Sequence, residues 1–419
     1  MRPSQNLSTK KTLDLALATS FNKHVIGGYR FLARRWKPGC KIYLFGFSRG
    51  AYTARFLNEM LDYVGLISAD NEELIPFVWE AFTDWKFAPQ PHARRQEAYD
   101  KLRFSRETMC RPIERVQFLG LFDTVNSVAQ FACDDTHHHS CQPRPAITRH
   151  AVSIDERRIK FQPVLFADDS GTKRRRPIRY DQPEEVFSAA DSDTEDDAPP
   201  DLEEVYFAGD HSDIGGGWKP ADGEEYPRSH VSLMWMVNEA LLAGLTFDDD
   251  QVHPLFVDVP SSSSSSASTT TATTSNHACS RRRSRRPHSE SLPAPNEASL
   301  SKAELAQTHD SLDYDSGKGF TTFFWRLLEY LPFRRRLVQP DGTIIVSRWH
   351  RCGQRRPLPP RALIHGSAVR KLRQDAEYRP YNLGMGVRPQ AQKFKAQDRN
   401  IGAWEQRGAD GVRQYWVRV

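Results

Sequence analysis

The sequence predicts an α/β protein built on a mostly parallel sheet with flanking helices, and three stretches carry that prediction. Residues 41–47 (KIYLFGF) are aromatic and β-branched as a strand requires, and residues 51–63 carry apolar positions at helical spacing. Residues 116–122 (VQFLGLF) form a continuous apolar run, the mark of a strand buried on both faces. Residues 205–208 (VYFA) form another, followed by the polar turn Gly209-Asp210-His211-Ser212-Asp213 and then Ile214 and three glycines.

The turn between the first strand and its helix reads Gly46-Phe47-Ser48-Arg49-Gly50, which is G-x-S-x-G. That pattern alone is weak evidence, and its strand-turn-helix setting is what gives it meaning. A serine on a sharp turn exposes its Oγ, and small residues two places either side are expected to relieve collisions between strand and helix backbones.

A nucleophilic serine needs a base and an acid that orients it. In open parallel sheets such groups gather beyond the carboxyl ends of the strands, and Ser48, Asp123 and His211 all stand at such ends. Asp123 is the first candidate acid and His211 the candidate base. Asp210 and Asp213 remain alternative acids. Asp155, within Ser153-Ile154-Asp155-Glu156-Arg157-Arg158, is a fourth, although a turn or a surface ion pair explains it more simply.

Composition bounds the other possibilities. The chain has 419 residues, enough for one large α/β domain or two smaller ones, and its formal net charge is +5. No run of about 20 apolar residues occurs and no signal-peptide pattern opens the sequence, so an intracellular, cytoplasmic location is expected. Cys40, Cys110, Cys133, Cys141, Cys279 and Cys352 are scattered irregularly, which reads as free thiols. The segment from Cys133 through His137, His138 and His139 to Cys141 matches no standard zinc spacing, and no metal is expected there.

Charges are segregated into basic 173–176, acidic 191–197 and basic 281–286. The acidic stretch 182–201 and the Ser/Thr tract from 261 to 298 lack the apolar residues a core needs, so both read as disordered surface insertions. The arginine run reads as a solvated linker, and no nucleic-acid-binding module is present. Residues 231–245, rich in Met and Trp, are expected to pack as the helix after His211. Residues 321–331 (TTFFWRLLEYL) are long enough for an amphipathic helix. Core packing is the first expectation for it, with a cover over an apolar substrate channel or contact with lipid as the alternatives.

Taken together, these residues resemble a family of α/β hydrolases that includes the type-1 phospholipase effectors of bacterial type VI secretion. The motifs are Lys37-Pro38-Gly39 leading into FGFSRGAYTAR, Gly120-Leu121-Phe122-Asp123-Thr124-Val125, residues 151–158, residues 208–217, Leu233-Met234-Trp235-Met236, and His365-Gly366-Ser367-Ala368-Val369 with Tyr378-Arg379-Pro380. They run in family order over roughly residues 12–385. The resemblance implies an α/β-hydrolase-like fold with Ser48 as nucleophile, Asp123 as acid, His211 as base and the Arg49 backbone N–H as one oxyanion donor. It implies hydrolysis of carboxylic esters, a class that includes phospholipid acyl esters, with no cofactor or metal. The partner would be an ester or lipid substrate, reached by peripheral membrane contact. The runner-up is a scaffold of the same fold that binds without turnover.

The family's opening strand, ending in Asp-Gly-Thr, is not found before residue 41, so the sheet is expected to lack its N-terminal strand or strands and with them the second oxyanion donor. The expected organisation is a catalytic domain over 12–385, interrupted by insertions at 170–202 and 259–310, and a tail over 386–419.

Overall fold

The computed structural model describes residues 21–87, 92–125, 145–166, 201–248, 255–257, 294–314, 319–330, 335–338, 344–347, 353–359, 362–383, 404–408 and 411–418. Five strands run parallel, each beside its neighbour in sequence: β1 (Tyr43–Phe47), β2 (Phe118–Phe122), β3 (Ile147–Ser153), β4 (Asp201–Phe207) and β5 (Leu363–His365). An antiparallel pair, β6 (Trp404–Arg407) and β7 (Tyr415–Arg418), completes the sheet, with β7 lying against β5. The mostly parallel α/β sheet read from the sequence is therefore present. Among the described residues β1 pairs with β2 alone and forms one edge.

The helices follow as α1 (Phe21–Arg35), α2 (Arg49–Val64), α3 (Ile75–Lys86), α4 (His92–Met109), the one-turn α5 (His211–Gly215), α6 (His230–Leu242), α7 (Glu297–Leu305), α8 (Gly319–Glu329) and α9 (Gly366–Gln374). Strand β2 shows why its run is apolar throughout. Leu119 and Leu121 pack on Ala51 and Ala54 of α2, while Phe118 on the opposite face joins Met234, Trp235 and Met236 of α6. A strand covered on both faces has no position left for a polar side chain. The Met and Trp residues of α6 are packing residues, as expected.

Helices α1 to α4 bury a separate cluster that includes Val25, Tyr29, Phe56, Met60, Leu61, Val78, Phe82 and Leu102. Burial of a single such side chain contributes about 1.5–3 kcal/mol. In α2 the buried positions Ala54, Leu57, Leu61 and Val64 recur at helical spacing, and the helix stops at Gly65, whose φ of 78° an L side chain resists.

Two stretches set aside in the sequence carry structure. Helix α7 falls inside the expected insertion 259–310. Asn296 caps it by accepting from the Ser299 N–H, and it buries Leu300 and Ala303 against the α6 face. Strands β6 and β7 fall inside the expected tail 386–419, where Tyr415 joins the α6 cluster and Trp416 packs on the cluster that holds Ile364 and Leu372. These are short elements whose apolar residues are few, so composition alone did not separate them from the polar sequence around them. Residues 167–200 and 258–293, which hold most of both expected insertions and the charge runs, lie outside the described residues, as does the segment from Cys133 to Cys141. Cys40 and Cys110 are free thiols.

Candidate active site

The parallel register sets the site. Phe47 of β1 pairs with Phe122 of β2, Phe122 with Ala151 of β3, and Ser153 of β3 with Phe207 of β4. Residues that immediately follow β1, β2 and β4 therefore emerge along one edge of the sheet.

Ser48 occupies the turn between β1 and α2 with φ 60° and ψ −123°, a conformation that non-glycine residues adopt at a cost of about 1–3 kcal/mol. Its N–H donates to Phe122 O at 2.9 Å, tying the turn to β2. Gly46 is sterically required: a Cβ there would lie 2.5 Å from Gly50 O and 2.6 Å from the Ala51 backbone. Gly50 is not, because a Cβ at that position meets nothing within 4 Å. The expectation of obligatory small residues on both sides thus holds for one side only. Arg49 opens α2, which puts its backbone N–H at the positive end of that helix, next to Ser48.

Asp123 directly follows β2 and is also held at positive φ, 39°. Its carboxylate is fully buried and accepts four hydrogen bonds. Oδ1 takes the Ser153 N–H at 3.0 Å and Arg356 Nη1 at 2.5 Å, and Oδ2 takes His211 Nδ1 at 2.6 Å and Arg356 Nη2 at 2.9 Å. Burial alone would push this carboxyl up, but the Arg356 guanidinium and His211 outweigh it and hold the carboxyl far below the usual carboxylate range. The next residue is anchored as well, since the Thr124 N–H donates to Nε2 of buried His150, 3.1 Å away, and His150 Nδ1 meets Glu204 Oε1 at 2.8 Å.

His211 begins α5. Its Nε2 lies 2.8 Å from Ser48 Oγ while Nδ1 faces Asp123. An ionised carboxylate only accepts, so Nδ1 carries the proton and Nε2 is left to accept from the serine hydroxyl. The ring is fixed from two sides, with the Phe47 ring 4.5 Å away and the Phe161 ring 4.7 Å away edge-on. The structure thus brings Ser48, His211 and Asp123 into one hydrogen-bonded chain.

The other acids go elsewhere. Asp210 caps α5: Oδ1 accepts the Ser212 and Asp213 N–H groups at 2.9 and 3.0 Å and Trp218 Nε1 at 3.1 Å, and Oδ2 meets Ser311 Oγ at 2.7 Å. Burial, with Asp213 and Glu156 nearby, pushes its pKa up to about 7. Asp213 faces His309, with Oδ1 2.7 Å from Nδ1, and the imidazole stacks on Trp218. Gly209 precedes this loop at φ 121°, and a Cβ there would come within 2.4 Å of the Asp213 Cβ.

Asp155 is buried, contrary to the surface role read from its sequence. It accepts the Gly209 N–H at 2.7 Å and the Tyr378 hydroxyl at 2.8 Å, and burial raises its pKa. It holds the His211 loop against the C-terminal part of the chain.

Three contributors had not been singled out in the sequence. Arg356 is 1% exposed and donates to Phe161 O as well as to Asp123. Glu156 is buried beneath the His211 backbone and is paired with Arg158, which brings its pKa down to about 2 against the opposing effect of burial. Phe161 is wedged between the Arg158 guanidinium, 3.6 Å from its ring centroid, and His211. Glu156 lies inside the quoted residues 151–158, but nothing local distinguishes Arg356 from its basic neighbours.

Among the described residues no helix is long and apolar enough to cross a membrane. Among curated proteins the chain is similar to an uncharacterised protein of Saccharomyces cerevisiae, YEL023C. The identity is 26% over 501 residues, covering 92% of this chain and 73% of that protein. No solved structure matches. The family model described as "T6SS, Phospholipase effector Tle1-like, catalytic domain" matches residues 3–239, a span that contains Ser48, Asp123 and His211 and ends before Arg356. This chain belongs to the Tle1-like family of phospholipase-effector catalytic domains.

Proposed function

We propose that this protein is a serine hydrolase that cleaves carboxylic esters, with the acyl esters of phospholipids as its substrate class. The observation that carries the reading is His211, which bridges Ser48 Oγ at 2.8 Å and Asp123 Oδ2 at 2.6 Å from a strained turn and two strand ends. The family's description as phospholipase effectors supports the substrate class.

In this mechanism His211 Nε2 takes the Ser48 proton as Oγ attacks the ester carbonyl. Asp123 keeps the imidazole in the tautomer that can accept and stabilises its positive form. The Arg49 backbone N–H donates to the oxyanion. Collapse breaks the ester C–O bond, and the leaving alcohol takes the proton back from His211. Water, deprotonated by the same imidazole, then attacks the acyl-enzyme and releases the fatty acid and free Ser48. No step calls on a metal or organic cofactor. Arg356 holds the Asp123 carboxylate in the plane that faces His211 Nδ1, and acts through Asp123 rather than on substrate.

Fatty-acid release from phosphatidylcholine vesicles, alongside turnover of a short-chain nitrophenyl ester, a thioester and a peptide, tests the reaction class. Ester cleavage by wild type, reduced by at least about 10⁴-fold in Ser48→Ala, is expected. Thioester or peptide cleavage without ester cleavage would reassign the substrate, and a folded wild type inert to all of them would leave a scaffold that binds without turnover.

A further inference from the structure

Helix α8 is built inside out. A helix on a globular protein turns its apolar stripe inward, yet α8 exposes most of its large apolar side chains and meets the body through Trp325 and two buried polar residues. Thr322 and Glu329 are buried. Glu329 Oε1 accepts the Ile159 N–H at 2.5 Å and Oε2 the Gly353 N–H at 3.2 Å. Arg326 stays exposed, although its Nε donates to Leu312 O at 2.7 Å and its guanidinium lies over the Tyr314 ring. The outward stripe is Phe320 at 84% exposed, Phe323 at 56%, Leu327 at 52% and Tyr330 at 65%, with Phe324 beside it. These positions recur at three- and four-residue steps and so share one face.

The helix stands next to the candidate site. Trp325 packs edge-on against Phe161 at 5.3 Å, and Phe161 packs against His211. Whatever covers the outer stripe is therefore held two rings from the imidazole that bonds Ser48. A Phe/Leu/Tyr stripe of this length suits the boundary between headgroups and acyl chains, where aromatic side chains are favoured. The chain carries a net charge of +5, which complements an anionic surface.

We propose that α8 is an interfacial docking helix: its stripe of Phe320, Phe323, Phe324, Leu327 and Tyr330 enters the surface of an anionic phospholipid bilayer and seats the site over its substrate. The inference rests on the phospholipid reading given above and adds the residues that reach the lipid.

The test uses the full chain and vesicles of phosphatidylcholine, with and without phosphatidylserine, in a flotation assay. The combined variant Phe320→Ser, Phe323→Ser, Leu327→Ser alters only outward side chains, and its melting curve checks its fold. Binding is measured in the Ser48→Ala background, so that turnover plays no part, and soluble short-chain ester hydrolysis in the Ser48 background. The expected result is binding that is stronger with phosphatidylserine and at least about tenfold weaker in the variant, with ester turnover within about twofold of wild type. If vesicle binding is lost in the variant while the wild type cleaves no ester, the docking helix stands and the hydrolase reading fails. The proposal is overturned if wild type and variant bind vesicles equally, if wild type binds none, or if the stripe instead mediates self-association, seen as a dimer in wild type and a monomer in the variant.

Discussion

Arg356 forks onto Asp123, with Nη1 2.5 Å from Oδ1 and Nη2 2.9 Å from Oδ2, inside a fully buried pair. The planar guanidinium fixes both carboxylate oxygens at once, so Oδ2 can face His211 Nδ1 in one orientation only. The same positive charge competes with the imidazolium for the carboxylate, which makes Arg356 a positioning residue whose gain is geometry.

Removing one partner of this pair strands a buried charge. Arg356→Met is expected to cost about 3–5 kcal/mol of stability in urea unfolding, and adding Asp123→Asn is expected to recover much of that while activity stays low. Arg356→Lys keeps the charge without the fork, so a fall in kcat of about tenfold with KM unchanged is expected in ester kinetics. Equal stability of the single and double variants would mean that the pair is not an energetic unit.

The two glycines of the elbow are expected to behave differently. A Cβ at position 46 would meet the Gly50 and Ala51 backbones, which cannot move aside without breaking the turn, so Gly46→Ala should abolish folding or activity. Gly50 has open space and lies in the first turn of α2, where alanine is the better helix former, so Gly50→Ala should hold or raise stability by up to about 1 kcal/mol. Thermal melts of the two variants side by side check the contrast.

Burial and the nearby Asp213 and Glu156 raise the Asp210 pKa, and a pH dependence of stability is expected from it. With its folded pKa pushed to about 7 by burial and neighbouring carboxylates, the folded state holds a proton that the unfolded chain has already lost above about pH 4. Stability from this group is present at low pH, falls as pH rises from about 4 to about 7, and is flat beyond. Asp210→Asn keeps an oxygen for the Ser212 and Asp213 N–H groups without the charge. It should match wild type near pH 4 and exceed it by about 2–4 kcal/mol at pH 8, as read from urea unfolding at each pH. A difference that is independent of pH would contradict the assignment.

The core strands, and the positions of the three residues that meet in one hydrogen-bonded chain, were legible because of local causes. An apolar run covered on both faces leaves β2 no polar position until Asp123, and a serine between strand and helix marks a turn by its neighbours. What escaped the sequence depends on contacts between distant segments. Arg356 reaches Asp123 across 233 positions, and its role is set by where the chain returns, not by its neighbours. Asp155 looked like a surface acid because its segment is polar, yet Gly209 and Tyr378 bury it. Helix α8 reads as core from its apolar content, and only the burial of Thr322 and Glu329 on the other side shows that the stripe faces out. Strands β6 and β7 are too short for periodicity to announce them.

The central claim is that Ser48 is a nucleophile activated by His211, and covalent labelling by a fluorophosphonate probe, located by peptide mass spectrometry, tests it most directly. The expected result is a single adduct on Ser48 that disappears in Ser48→Ala and forms at least about 10²-fold more slowly in His211→Gln. A folded wild-type protein that stays unlabelled, or that is labelled on a different serine, would contradict the account.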